Sequence, residues 1–354
     1  MNKYIVSTNM DIYTYLNVPK RNQTLSDEDF ETLLPIIVPV LYDYGFDAIL
    51  TDYNQSQEKK VLKDWNHLKE KSLSQDFASS TSLSGMWIIK KHMTHLYQVK
   101  SHKGVCIRDL WTKENIEKVL ILNRKTHSTP YVSEIIRQLG FMAGTSKVTM
   151  YRPILTKRIV ETFQGKSVLD VCVGWGGRML GSVAVDDVQY TGIEPCQKTY
   201  QGLIDITKEL EIEKQVTLYC DKAENILPTL KKRYDIALTS PPYYNLEIYS
   251  DEETQSHHYG SYESWIDLFL KPVVFGVLDH LKEDGYSCWS VKNFKTDKYY
   301  PLYDDILRLH KEKGWVKLDR EFYIGNCLRP GLKDEHGNAR KSKESTFVFV
   351  KEKS

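Results

Sequence analysis

The run Val168-Leu169-Asp170-Val171-Cys172-Val173-Gly174-Trp175-Gly176-Gly177-Arg178 constrains this chain more than any other feature. A short apolar segment that ends in glycines and opens a helical segment is a strand feeding a tight turn. Glycine there lets a ligand approach the main chain, and the free amides of the helix start favour an anionic group. The surrounding pattern repeats the same unit. Strand-like runs at 167–173, 190–194, 216–220, 234–239 and 286–291 alternate with helical segments, the first opened by Arg152-Pro153 with Leu155, Ile159 and Phe163 on one face, then 196–210, 224–230 and 263–281. Such alternation predicts a parallel sheet covered on both faces. The last two runs, 318–324 and 346–350, are separated only by a polar, glycine-containing segment at 329–343, so they pair antiparallel. The expected architecture is α/β, a mostly parallel seven-stranded sheet closed by an antiparallel hairpin.

The first third of the chain reads differently. The whole chain's 354 residues suit two domains, divided here into 1–150 and 151–354. Helical spacing at 27–44 and 58–71 makes the N-terminal region mainly helical, while 86–100 mixes helix and strand signals and 72–85 is a Ser/Thr-rich loop. Ser128-Thr129-Pro130 starts a helix that Gly140 stops, and with the turn at 142–149 this suits a helix-turn-helix or an ordinary helix hairpin. Net charge is +1 overall, yet residues 1–57 carry −5, residues 58–150 carry +8 and the remainder −2. A whole-chain polycation is excluded, and the local positive stretch becomes the candidate for phosphate contacts. The apolar runs are too short to cross a bilayer and the first fifteen residues lack a signal-peptide pattern, so a cytoplasmic protein without membrane contact is expected. The six cysteines show no paired spacing and read as reduced thiols; His92, His95 and Cys106 lack a fourth ligand, so no metal is expected.

Candidate chemistry sits at four successive strand ends. After the glycine turn, Thr191-Gly192-Ile193-Glu194-Pro195 places a carboxylate where it can accept both ribose hydroxyls of a nucleoside. Cys220-Asp221 ends the third strand with an acceptor for an adenine amino group. The fourth strand runs into Ser240-Pro241-Pro242-Tyr243. Two prolines fix the backbone and remove donors, leaving outward carbonyls, a hydroxyl and an aromatic face. That set suits an exocyclic amino group on a planar base, because acceptors holding both N–H groups expose the nitrogen lone pair and Tyr243 can stack on the ring.

In this order, these motifs resemble the amino-methyltransferases that modify cytosine N4 or adenine N6 in DNA, and Trp175-Gly176-Gly177-Arg178 is especially similar to a group of phage and large-virus DNA methylases. The resemblance covers about 151–354 and implies a Rossmann-like methyltransferase fold. It implies S-adenosylmethionine held by Tyr151, Arg152, Asp170, Cys172, Gly174, Trp175, Gly176, Glu194, Pro195, Asp221 and Ser240. It also implies catalysis by Ser240, Pro241, Pro242 and Tyr243, with Ser before Pro-Pro-Tyr favouring cytosine. No target reader stands within or after these motifs, so target recognition falls to residues 1–150.

The implied partner is double-stranded DNA with the acceptor base flipped from the stack. An RNA base amine or a protein glutamine amide presents a similar planar group, and a nucleic-acid-binding protein with a degenerate catalytic domain is the non-enzymatic alternative. Residues 244–261, polar and acidic with His257 and His258, are expected to form a loop closing over the substrate.

Overall fold

A computed structural model describes residues 5–6, 10–11, 26–71, 79–80, 82–126, 130–142, 148–333 and 339–352. Ser128, Thr129 and most of the turn and loop expected at 142–149 and 72–85 lie outside the described residues. The chain forms two compact units. One comprises Met1–Glu58, Thr94–Val148 and Glu247–Tyr249, the other Lys59–Met93, Thr149–Leu246 and Ser250–Ser354. The units therefore do not divide at residue 150.

The larger unit is built on seven strands: β1 (Ser167–Asp170), β2 (Gln189–Ile193), β3 (Val216–Tyr219), β4 (Tyr234–Thr239), β5 (Leu281–Ser290), β6 (Trp315–Lys333) and β7 (Ala339–Lys351). Their spatial order is β6-β7-β5-β4-β1-β2-β3, with a two-residue edge strand, Ser79–Ser80, beside β6. β1 to β5 are parallel, whereas β7 runs antiparallel to both β5 and β6, as expected of the closing hairpin. This is the Rossmann-like methyltransferase arrangement expected from the motifs. Its order reverses at β1, which pairs with β2 on one side and β4 on the other, and ligands of open α/β sheets bind at such a switch point.

One sheet face contributes Leu169, Ala237, Trp289 and Phe349 to a core shared with Trp265, Leu270, Val273, Ile306 and Leu309. Two of these come from Leu302–Glu312, a helix that the strand-focused reading passes over although Leu302, Ile306 and Leu309 recur at helical spacing. Outside this core, helices Pro153–Phe163 and Gly177–Val183 pack so closely that side chains would not fit between them. A Cβ at Gly181 would lie 2.1 Å from the Pro153 carbonyl oxygen, and one at Gly177 1.9 Å from that of Tyr151.

Residues 59–93 join this unit through polar anchors that no local pattern reveals. Lys157, almost fully buried, donates to the carbonyls of Leu68, Lys69 and Lys71 at 3.0, 2.6 and 3.0 Å, capping the end of helix Glu58–Glu70. Lys91 and His92 both reach Glu209, and the Met93 sulfur lies where a Gly202 side chain would stand.

The smaller unit is helical, as expected. Asp27–Tyr44, Phe46–Ser56, Lys113–Lys125 and Val132–Leu139 share a core containing Ile37, Leu41, Ile116, Leu120, Ile135 and Leu139. Lys100–Ser101 pairs antiparallel with Glu247–Ile248. The acidic start and the basic stretch that follows it fold against one another: Arg124 binds Asp27 at 2.7 Å, Arg108 binds Asp47 and Lys113 lies over Tyr42. The unit holds 12 basic and 14 acidic residues, net −2, so its share of the +8 stretch is offset within the unit. Val132–Leu139 exposes only Ser133 and Arg137, and Arg137 pairs with Glu134. A helix that reads a DNA groove needs a wider exposed face, so the helix-hairpin reading is the better one.

Among the described residues no single helix is long and apolar enough to cross a membrane. In the sheet core, His310 is fully buried, stacked on Phe349 at 3.8 Å, with Nε2 3.0 Å from Ser287 Oγ and Nδ1 2.8 Å from the Ile306 carbonyl. Burial lowers its pKa from the ordinary 6.5 to about 4. The folded state therefore favours the neutral ring: its contribution is complete above 6.5 and lost as pH falls toward 4, a difference on the order of 3 kcal/mol. Denaturant titrations at pH 7.5 and 4.5 should show this loss in the parent protein and a smaller one in His310→Gln.

Candidate active site

The glycine turn is held from beneath by a buried ion pair. Asp170, at the end of β1, is fully buried, and its Oδ2 accepts from Arg178 Nε and from the Tyr190 hydroxyl, both at 2.8 Å. Its Oδ1 accepts from the Cys172 amide at 3.2 Å. Arg178, from the first turn of helix Gly177–Val183, also donates to the Cys172 carbonyl and, at 3.2 Å, to that of Val173. Burial opposes the guanidinium charge, yet the Asp170 carboxylate outweighs it and holds the pKa above the ordinary value. The loop between strand and helix is thus closed on itself, with the Asp170 carboxylate fully engaged by protein groups. Tyr151 lies over Arg178, 5.4 Å from guanidinium to ring, and its hydroxyl is 2.7 Å from Thr346 Oγ1 on β7. Arg152 is the N-cap residue of helix Pro153–Phe163.

The glycines differ in purpose. Gly177 serves helix packing, as described. Gly176 has φ +88° and a Cβ there would meet Leu203 at 2.9 Å, while Gly174 has φ +57° and nothing within 4 Å of a Cβ position. Gly174 is the position whose missing side chain leaves open space beside the turn. Trp175 between them is buried.

Glu194 closes the next side. It is buried, its Oε2 accepts from the Gly174 amide at 2.8 Å and its Oε1 from the Cys196 amide at 2.9 Å across Pro195. A carboxylate offers about four acceptor sites, so each oxygen keeps one for a ligand, as a vicinal diol requires. Burial pushes Glu194 up to about 7, against the two amide bonds that hold it down. At the end of β3, Asp221 Oδ1 accepts from the Lys222 amide and from Asn225 Nδ2 at 2.6 and 3.0 Å, leaving Oδ2 for a donor.

On the other side of β1, Ser240 follows β4 and donates its hydroxyl hydrogen to the Ser290 carbonyl at the end of β5, 3.0 Å away. With its proton directed there, the oxygen faces any ligand as an acceptor only. Pro241 is buried; Pro242 and Tyr243 are half-buried. The Tyr243 ring packs 5.4 Å from Phe294, which stacks on Tyr300. Tyr244 adopts φ +46°, a conformation costly for a bulky residue, and is pinned by its hydroxyl on the Gly260 carbonyl and by Ser256 Oγ on its own carbonyl. The two halves meet where the Cys172 thiol faces the Thr239 hydroxyl, and burial pushes that thiol up, so it is not a thiolate.

The structure thus gathers Cys172, Gly174, Glu194, Asp221 and Ser240 through Tyr243 at the carboxyl ends of neighbouring strands, and Asp170 supports them from below. Sequence reasoning passed over the pairing role of Arg178. Its signal is an arginine in the first turn of a buried helix, eight residues after a buried strand's terminal aspartate. It also passed over how residues 250–261 are anchored in this unit: Glu252 accepts from Cys196 Sγ at 3.7 Å, and the Tyr259 hydroxyl donates to Glu224 at 2.5 Å.

No protein-family model matches the chain, and no curated protein does. Solved structures similar in fold include TrmN from Thermus thermophilus, with TM-score 0.38 and 13% identity over 56% of this chain and 48% of that one. NSun6 from Pyrococcus horikoshii, solved with SFG, has TM-score 0.41 and 15% identity over 61% of this chain and 55% of that one. A putative RNA methyltransferase from Pyrococcus horikoshii has TM-score 0.35 and 14% identity over 57% and 83%. The chain thus matches about half the length of the first two.

Two outcomes follow for the folded protein. Arg178→Gln leaves Asp170 buried without its counter-ion and should cost about 3–5 kcal/mol in a denaturant titration. Glu194 has a raised pKa, so its protonated form is favoured by folding; the stability it lends is full below about 4.5 and lost as pH rises through 7. Glu194→Gln should therefore be the more stable protein at pH 8, with the gap closing at pH 5; no pH dependence in the gap would contradict the burial argument.

Proposed function

We propose that this protein transfers a methyl group from S-adenosylmethionine to an exocyclic amino nitrogen of a nucleic-acid base, with cytosine N4 in DNA ahead of adenine N6. The observation that carries this reading is the Ser240 hydroxyl, its hydrogen committed to the Ser290 carbonyl, beside the open glycine turn at the sheet's switch point. A hydroxyl kept as an acceptor is suited to an amine donor and unsuited to act as a nucleophile.

The residues present fit the cofactor. Glu194 has one free acceptor site on each oxygen for the two ribose hydroxyls, Asp221 Oδ2 is left for an adenine amine, and Gly174 carries no side chain over the turn. Bound there, S-adenosylmethionine supplies an electrophilic methyl carbon on a sulfonium centre. The protein's part is alignment and charge handling. Ser240 Oγ accepts one N–H of the base, and the carbonyl of Pro241 accepts the other. Together they draw the nitrogen toward a tetrahedral geometry and turn its lone pair outward. Tyr243 gives the base a stacking face. The proton released after transfer passes to solvent or to one of these oxygens. Attack at cytosine C5 would require a thiolate nucleophile, and the nearby Cys172 is held as a thiol.

Ser240→Ala and Tyr243→Ala should lower turnover roughly a hundredfold while changing cofactor affinity little, since their contacts are to the acceptor. Gly174→Val, filling the open space at a positive φ, should abolish cofactor binding in a calorimetric titration. Transfer of labelled methyl to DNA, RNA and protein, followed by nucleoside mass spectrometry, identifies the acceptor. N4-methylcytosine supports the reading in full, N6-methyladenine changes only the base, and C5-methylcytosine alone or label only in protein refutes it.

A further inference from the structure

The positive charge of residues 58–150 does not act as one block. Its 94–148 share is offset inside the smaller unit, whereas residues 59–93, with seven basic and three acidic side chains, belong to the unit that carries the candidate active site. On helix Glu58–Glu70 the side chains of Lys59, Lys60, Lys63 and Lys69 are exposed. Asp64 on the same helix is turned inward, where it accepts from the Trp87 amide at 3.1 Å. From opposite segments, Lys60 and Lys90 bring their ammonium groups to 5.2 and 5.0 Å of the half-exposed Trp87 ring. Two like charges converge on one indole, with Asp64 as the acidic group beside them. Burial lowers the Lys90 pKa, and Asp64 acts against that shift.

Resting on the nucleic-acid reading of the acceptor, we propose that Lys60 and Lys90 at Trp87, together with Lys59 and Lys63 exposed on helix Glu58–Glu70, form the surface that holds the phosphodiester backbone of the substrate strand. The occupant follows from charge complementarity: a row of ammonium groups along a helix matches a polyanion with regularly spaced charges, and lysine binds phosphate as a point charge. The aromatic ring gives that row a flat, partly apolar floor. Position supports it as well. The segment is fixed to the catalytic unit by the triple carbonyl cap of Lys157 and by Lys91 and His92 on Glu209. Phosphates held there are held in the same compact unit as Ser240.

Fluorescence anisotropy of a labelled DNA duplex with the full chain, measured across a salt series, tests this surface. Lys60→Gln/Lys90→Gln should weaken binding at low salt by about tenfold or more and make the slope of log K on log salt shallower by about 1.8. Lys59→Gln/Lys63→Gln, at exposed positions where folding is not at issue, should do the same. Lys113→Gln/Lys125→Gln in the smaller unit should leave the slope unchanged. Competition with RNA of the same sequence identifies the preferred polymer, and either preference supports the surface. An unchanged slope in both helix-surface variants, loss confined to the Lys113/Lys125 variant, or no salt-dependent binding by the parent protein would overturn it. A calorimetric titration of S-adenosylmethionine separates the two readings. Intact cofactor binding and methyl transfer to nucleic acid, with an unchanged salt slope in both helix-surface variants, sink the surface alone, and salt-dependent binding without any methyl transfer sinks the activity alone.

Discussion

The candidate site depends on one buried pair, Asp170 with Arg178. A strand can deliver a glycine turn to the edge of a sheet, but glycine is also the residue that makes such a turn floppy. Here the arginine of the following helix reaches back to the aspartate that ends the strand and to two carbonyls of the loop between them. The turn is thereby fixed in the shape that aims the Gly174 amide at Glu194. Tyr190 from β2 and Tyr151 before helix Pro153–Phe163 complete the shell around the pair. An isolated buried ion pair contributes little to stability, because desolvation offsets its attraction. Its value here is geometric: it specifies one arrangement of a loop that contains Gly174 and Gly176, both at positive φ.

The neighbouring strand solves a different problem with different means. Two prolines, a residue at positive φ and a hydroxyl bonded to the next strand fix the 240–244 backbone without a buried charge. Both devices put strain or desolvation at the carboxyl edge of the sheet, and the apolar core around Trp289 and Leu270 supplies the stability that tolerates them.

Much of this was legible in the sequence because it is local. Strand runs, the glycine turn, Glu194 and Asp221 at strand ends and the Ser-Pro-Pro-Tyr corner each follow from short-range patterns, and the mostly parallel sheet with its antiparallel closing hairpin follows from how such units connect. What escaped depends on contacts between distant segments. Nothing near Lys157 announces that it caps a helix almost ninety residues earlier in the chain, at Leu68. Charge summed along the chain placed the basic region in a single N-terminal block, whereas folding pairs Arg124 with Asp27 and sends 59–93 to the other unit. Asp170 shows the same limit at a smaller scale. Its position suggests a ligand contact, and its partners show that every part of the carboxylate is engaged by the protein.

Glu194 offers the most direct test that this edge of the sheet takes a nucleoside cofactor. A diol donates two hydrogen bonds to an ionised carboxylate, whose free-protein pKa is pushed up to about 7 by burial. Binding must then drive the proton off. Calorimetric titration of S-adenosylmethionine from pH 5.5 to 8.5, in buffers of different ionisation enthalpy, measures both affinity and protons exchanged. The affinity should rise with pH through about 7, with up to one proton released per site below that value and none in Glu194→Gln. Absence of binding, or tight binding with no proton release at any pH, would contradict the assignment.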